Sequence, residues 1–361
     1  MPCRDAPGLP VITLFVQSLT ALKTEILTIE SASKFEQAAS RAADLLSSGR
    51  LAALPTETVY GLAADAFNAE AVASIYATKG RPSTNPLIVH VADKSMLLEC
   101  VREWPEIAEK FSQAFWPGPL TLVLPKSDRI SDNITAGLDS VAVRWPGHPF
   151  MRAVIKNLGR PIAAPSANLA NQLSPTSAEH VQAQLKGRIP LIVDGGAANV
   201  GIESTVLDLC GKNPTVLRPG IIHLESLRAV APNTMHRSAP QSSGAQKSPG
   251  LHHKHYAPKA RVIILDRSDS SQPNDLINQI RRLGILRAEA CVLGLEDLPS
   301  PADFLRVCFI PHDPEAYARA LYAELFLCDQ LAPKWIVVEA VPDTPAWEGV
   351  RDRLARAAGE E

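Results

Sequence analysis

From residue 26 onward, short apolar runs alternate with stretches whose apolar positions recur at helical spacing. "ILTI" (26–29) reads as a strand, Ser33 to Ser48 as a helix, "LAAL" (51–54) as a strand, "AEAVASIYATK" (69–79) as a helix and "LIVHV" (87–91) as a strand. Further strands are predicted at "LTLVL", "VAVRW", "PIAAP", "PLIVD", "STVLDL" and "TVLR". Several neighbouring strands are too close in sequence for a helical crossover, so the sheet is expected to be mixed. This first α/β unit ends near Arg218. After one short amphipathic segment comes "APNTMHRSAPQSSGAQKSPG", a linker by composition. "RVIILD", "DLINQIRRLG", "ACVLGL", "VCFI", "PEAYARALYAELFLCDQL", "WIVVEAV" and "GVRDRLARAAG" then predict a smaller Rossmann-like α/β unit. The expected division is a preface at 1–24, a first domain at 25–220, a linker at 221–258 and a second domain at 259–361.

A length of 361 residues agrees with two cores. Lys+Arg 36 against Asp+Glu 38 leaves a net charge of -2, so no global field draws nucleic acid or anionic lipid, and any anion site must be local. Cysteines 3, 100, 210, 291, 308 and 328 are scattered without a CxxC pair, the pattern of reduced cytosolic thiols. The apolar stretch "VITLFVQSLTAL" is interrupted by Gln17 and Ser18 and is too short to span a bilayer. A cytoplasmic protein without membrane association is expected.

Four polar segments of the first unit fall at strand ends, where binding groups on α/β scaffolds gather. "LPTETVYGL" carries Thr56, Thr58 and Tyr60, which also suit an ordinary threonine turn. "KGRPSTNP" supplies Lys79, Arg81 and Asn85, with His90 on the next strand; Lys79 also answers the dipole of a helix that Gly80 stops. His90 alone reads equally as a structural histidine. "APSANLANQLSPT" offers Ser166, Asn168, Asn171, Ser174 and Thr176, of which Ser174 or Thr176 would also cap a helix starting near Ser177. "GGAANVGIESTVLD" with "LRPG" adds glycines for close backbone approach, and Ser204, Thr205 and Arg218 as donors. Together these cations and hydroxyls suit a polyphosphate. There is no GxSxG elbow, HExxH or thiolate setting, and the second unit lacks both usual phosphate-loop signatures. The chemistry indicated is phosphoryl or nucleotidyl transfer by positioning and charge neutralisation. "HHKH" (252–255) reads as a solvated basic stretch rather than a metal site from His252, His253 and His255.

Taken in order, "LPTETVYGLAADA", "KGRPSTNPLIVHV", "FWPGPLTLVL", "VAVRWPGHP", "APSANLANQLSPT", "GIESTVLD" and "LRPG" resemble the YrdC-like family. "SPGLHHKHYAPKA" (248–260) resembles its two-domain form, the L-threonylcarbamoyladenylate synthases with a C-terminal extension. The resemblance implies a YrdC-like twisted mixed sheet. It also implies that L-threonine, bicarbonate and ATP, with Mg2+, give threonylcarbamoyl-AMP and pyrophosphate for N6-threonylcarbamoyladenosine at tRNA position 37. A downstream threonylcarbamoyl transferase complex would take the product, with tRNA an indirect partner. Position by position, it implies Thr58, His90, Arg144, Ala164 and Ser204 at the threonine end. Arg81, Asn85, Ser140, Ser166, Asn168, Ser174, Arg218 and Tyr256 fall at the ATP end. Lys79 and Arg81 are the implied catalytic cations, for phosphate charge. After "SAN" the family usually shows Ser-Gly where this chain has Ala170 and Asn171; Asn tolerates a left-handed turn. The competing reading is an RNA-binding module of the same fold without catalysis. A carbamoyl transferase of the hydrogenase-maturation type would need acylphosphatase and zinc-finger segments, which this chain lacks.

Overall fold

The structure is a computed structural model that describes residues 22–237, 257–266, 275–296 and 298–359. The first unit runs β1 (Glu25–Thr28), α1 (Ala32–Ser47), β2 (Ala52–Leu54), β3 (Gly61–Asp65), α2 (Ala69–Lys79), β4 (Ile88–His90), α3 (Lys94–Cys100) and α4 (Glu106–Phe115). It continues through β5 (Leu120–Pro125), α5 (Asp132–Thr135), β6 (Ser140–Arg144), α6 (Pro149–Leu158), β7 (Ile162–Ala163), α7 (Ala178–Leu185) and β8 (Leu191–Asp194). β9 (Thr205–Asp208), β10 (Thr215–Arg218), α8 (Leu224–Val230) and β11 (Met235–His236) close it. The second comprises β12 (Arg261–Leu265), α9 (Asp275–Arg282), β13 (Ala290–Gly294), β14 (Arg306–Phe309), α10 (Pro314–Gln330), β15 (Trp335–Glu339) and α11 (Glu348–Ala358).

Eleven strands form one mixed sheet in the order β1-β8-β2-β3-β7-β4-β6-β5-β9-β10-β11, and four parallel strands form the second sheet, β12-β15-β13-β14. The mixed character follows from short returns: β2 turns back antiparallel into β3, β5 into β6 and β9 into β10. Helices start where a short polar side chain can take up free amides. Ser31 caps α1, Asn68 caps α2 and Asp93 caps α3. α1 lays its alanines and leucines on the sheet and meets α6, where the Phe35 and Phe150 rings lie edge to face at 5.2 Å.

Three local expectations are revised. "GLAAD" was not singled out as a strand, yet β3 is wholly buried between β2 and β7, and its small residues leave room for α1 and α2 to pack against it. Residues 221–237, expected within the linker, form α8 and β11, and Leu224, Leu227 and Ala231 join the first core. The cap of α7 is Ser177 itself, whose hydroxyl accepts the His180 amide; Ser174 and Thr176 do not cap. Gly80 stops α2 at φ 61 as expected, and Asn171 takes the left-handed turn at φ 65. Among the described residues no helix is long and apolar enough to cross a membrane.

Candidate active site

The sheet spaces the site. On β4, Ile88 and His90 share a face; on β6, Ser140, Ala142 and Arg144 do, by the two-residue repeat of a strand. Register pairs Ile88 with Ala142 and His90 with Arg144. Ile88 and Ala142 join Val123, Val206 and Leu217 in a small separate apolar cluster, and Ile88 of this cluster lines a cleft. Ser140 and Arg144 therefore stand about 13 Å apart, four strand residues, and of the two Arg144 lines the cleft while Ser140 does not. Thr58, Arg81, His90, Arg144, Ala164, Ser166, Ser204 and Arg218 line this one cleft, from seven segments of the chain.

At one end Arg144 is held on several sides. Its Nε donates to the Gly118 carbonyl at 3.1 Å and its Nη1 to Thr58 Oγ1 at 2.9 Å, while Nη2 lies 2.7 Å from Glu57 Oε1. Burial opposes the charge on Glu57. The Arg144 guanidinium and the Gly147 amide outweigh it and hold the carboxyl below its usual range. Thr56 accepts the amides of Thr58 and Val59 and donates to the Val59 carbonyl, so the threonine turn and the binding group are one structure. His90, 3 % exposed, is pushed down to about 3 by burial and then by the Arg144 charge. It is therefore a neutral imidazole at any ordinary pH, and its Nδ1 has no protein partner.

Three strands away on β10, Arg218 is buried, and its Nε and Nη2 donate to the Ser204 carbonyl at 3.2 and 2.9 Å. The Ser204 hydroxyl meets Thr121 Oγ1 at 2.8 Å. Arg81 leaves the α2 stop and donates to the carbonyls of Asn85 and Pro86 at 3.4 and 3.1 Å, stiffening the proline-bracketed loop. Asn85 is buried beneath it with Oδ1 unpartnered.

Three expected contacts are already spent inside the protein. The Lys79 ammonium does not line the cleft: it donates to Ser166 O at 2.6 Å, Asn168 O at 2.5 Å and Asn168 Oδ1 at 3.1 Å. An ammonium has three donors, so Lys79 is consumed as a staple between α2 and the 166–168 turn. Burial, then the nearby Arg81 charge, pulls its pKa well below the usual value. Asn168 spends its amide on the carbonyls of Leu169 and Gln172, and the Ser166 hydroxyl donates to its Oδ1. Ser174 donates to Glu203 Oε1 at 2.5 Å. Tyr256 and residues 252–255 lie outside the described residues.

Sequence reasoning missed Glu57 and Glu203. Glu203, 6 % exposed and next to Ser204, bonds to the second unit: Arg353 Nε donates to its Oε2 at 2.7 Å and Tyr322 OH at 3.1 Å. Burial raises its pKa, but Arg353, Arg218 and the Ser174 hydroxyl together hold it below the usual range. The available signal was a carboxylate inside each polar segment, Thr-Glu-Thr and Glu-Ser-Thr, where cations were expected to gather. Among the described residues, no cluster of three His, Cys, Asp or Glu could hold a metal. Glu57 and Glu203 are both committed to arginines. The described residues of the cleft thus do not fit a protein-held divalent ion.

An α/β sheet cleft lined by three buried guanidinium groups and a neutral imidazole defines an enzyme-type site for anionic substrates. The model described as "Telomere recombination" matches residues 44–220, and that described as "Threonylcarbamoyl-AMP synthase, C-terminal domain" matches residues 222–359. The threonylcarbamoyl-AMP synthase of Bacillus subtilis is 43 % identical over 325 residues, 88 % of this chain and 92 % of that protein. That of Pyrococcus abyssi is 40 % identical over 320 residues, 88 % of this chain and 93 % of that protein. The crystal structure of P. abyssi Sua5 complexed with L-threonine superposes with a TM-score of 0.84 at 39 % identity, covering 93 % of this chain and 98 % of that one. The chain belongs to the threonylcarbamoyl-AMP synthase family.

Proposed function

We propose that the protein condenses L-threonine, bicarbonate and ATP into threonylcarbamoyl-AMP and pyrophosphate. The observation that carries this reading is the convergence of Arg81, Arg144 and Arg218 on one cleft with the neutral His90, which pairs in register with Arg144. Arg144, already oriented by Glu57, Thr58 and Gly118, has N–H groups left over for an amino-acid carboxylate. Neutral His90 and Ser204 offer hydrogen bonds without adding charge, with the backbone of Ala164 beside them.

In the reaction the threonine amine takes up bicarbonate with loss of water, giving a carbamate. A carbamate oxygen then attacks the α-phosphorus and pyrophosphate leaves. Both partners are anions, so Arg81 and Arg218 serve to lower their repulsion, with Ser140, Ser166 and Asn85 beside the nucleotide. Lys79, Asn168 and Ser174 act by holding the turn that presents Ser166. Mg2+ would arrive on the triphosphate, as this ion commonly does, rather than in a protein cage. Transfer of the product to tRNA position 37 belongs to a separate transferase, so tRNA is an indirect partner, and the reading places the protein in the cytoplasm.

The test is incubation with labelled bicarbonate, L-threonine, ATP and Mg2+, omitting each in turn. Labelled adenylate and pyrophosphate should require all three substrates. Folded protein that turns over ATP regardless of threonine or bicarbonate, or forms no product, would overturn the reading.

A further inference from the structure

The second unit reaches residues that line the cleft. Val59, Leu173 and Ile202 of the first unit lie in the apolar core of the second, with Tyr317, Tyr322 and Leu325 of α10. Val59 itself lines the cleft, and Ile202 adjoins Glu203, which lines it too. The stretch 199–203 is gripped from two sides. The Val200 and Gly201 amides donate to the Glu57 and Thr58 carbonyls at 2.7 and 3.1 Å, and Arg319 Nε of α10 donates to the Asn199 carbonyl at 3.0 Å.

Glu203 connects that grip to a cation of the cleft. Arg353 of α11 is fully buried and does not line the cleft; it donates from Nε to Glu203 Oε2 at 2.7 Å and from Nη2 to the Glu203 carbonyl at 3.3 Å. The second bond fixes the peptide plane that leads into Ser204, whose own carbonyl holds Nε and Nη2 of Arg218. Tyr322 OH also donates to Oε2, at 3.1 Å, and the Ser174 hydroxyl donates to Oε1, so both carboxylate oxygens are engaged. Arg218 is close enough for its charge to act on Glu203. A carboxylate competes with a phosphate for a guanidinium, because both present paired oxygens to its planar fork.

We propose that Arg353 is a positioning residue of the cleft: by holding the Glu203 carboxylate from the second unit, it keeps Arg218 directed at the nucleotide phosphates. The proposal rests on the synthase reading for the nucleotide. Without Arg353, Oε2 loses its charged donor and the carboxylate turns to Arg218. Isothermal titration of the full chain with ATP and Mg2+, and separately with L-threonine, tests this on variants whose folding circular dichroism has verified. Arg353→Met should weaken ATP binding about tenfold, the low end for a hydrogen bond to a charged group. L-threonine binding should change by less than about twofold, because Arg144 is held by Glu57, Thr58 and Gly118 instead. Tyr322→Phe removes one donor to the same oxygen, keeps the ring in its core and should weaken ATP binding about threefold; it carries the test if Arg353→Met does not fold. Glu203→Gln/Arg353→Met removes the competing charge and should restore ATP binding by at least about threefold over Arg353→Met. Unaltered ATP binding in the folded single variants, an equal loss for both ligands as a loosened fold would give, or no recovery in the double variant would each overturn the proposal. Wild-type protein that binds ATP but forms no adenylate would overturn the synthase reading and leave this comparison intact.

Discussion

Replacing Arg353 by Met removes the cation that answers Glu203. Arg353 is fully buried and Glu203 nearly so, with Arg353 Nε 2.7 Å from Glu203 Oε2 and Nη2 3.3 Å from its carbonyl oxygen. Asp352, the other carboxylate beside Arg353, keeps Arg356 at 2.8 Å, so the deficit falls on Glu203. Stripping one partner from a buried ion pair costs about 3–5 kcal/mol, because the remaining charge stays desolvated. Ser174 and Tyr322 still donate to Glu203, which places the expected loss near the lower bound, about 3 kcal/mol. Urea denaturation monitored by fluorescence measures it. The companion double variant Glu203→Gln/Arg353→Met removes both charges and should recover at least about 1.5 kcal/mol relative to the summed single losses. Additive losses, or an unchanged midpoint in Arg353→Met, would refute the view that charge compensation across the two units holds this seam.

Lys79→Met should cost about 2–4 kcal/mol in the same assay, since three buried oxygens lose their donor, and Lys79→Arg should not rescue it; Arg81→Ala should instead depress turnover more than stability. The folded chain leaves His90 unprotonated down to about 3, against an ordinary 6.5, so the unfolded chain gains protons first as pH falls. Stability present above pH 6.5 should fall by about 2 kcal/mol by pH 5, ahead of Glu57 and Glu203, and His90→Gln should flatten that slope in pH-dependent urea melts. Gly201 has φ +85, and a Cβ there would sit 2.4 Å from Ala318 O and from Arg319 Cα in α10. Gly201→Ala should therefore cost about 3 kcal/mol or more and speed limited proteolysis between the units; wild-type resistance would count against the close approach.

Much of the fold was legible because its strands are short apolar runs punctuated by Pro and Gly. β3 was hidden for the opposite reason: a strand of Gly and Ala carries no apolar signature until both its faces are covered. β11 was hidden by its linker-like polar neighbours, whereas α8 is the short amphipathic segment that precedes them. In the cleft, nine of the residues singled out do converge, since strand periodicity fixes who shares a face. What spacing could not tell is which donors are already spent. Lys79 and Arg81 look equivalent two residues apart, yet one points under the 166–168 turn and the other toward the cleft. Nor does sequence reveal that Glu203 answers a cation 150 residues downstream.

That last separation bears on synthesis. The ribosome completes β9, β10 and the residues that form the cleft before Arg353 in α11 exists, so the nascent first unit must carry Glu203 without its main counter-charge. Until α11 emerges and docks, with Gly349 seated 2.6 Å by its absent Cβ from the Gly220 carbonyl, that carboxylate must stay wet or protonated. Glu203 is therefore neutralised late, and a chain cut short before Arg353 would be worse off than a full chain carrying a single substitution.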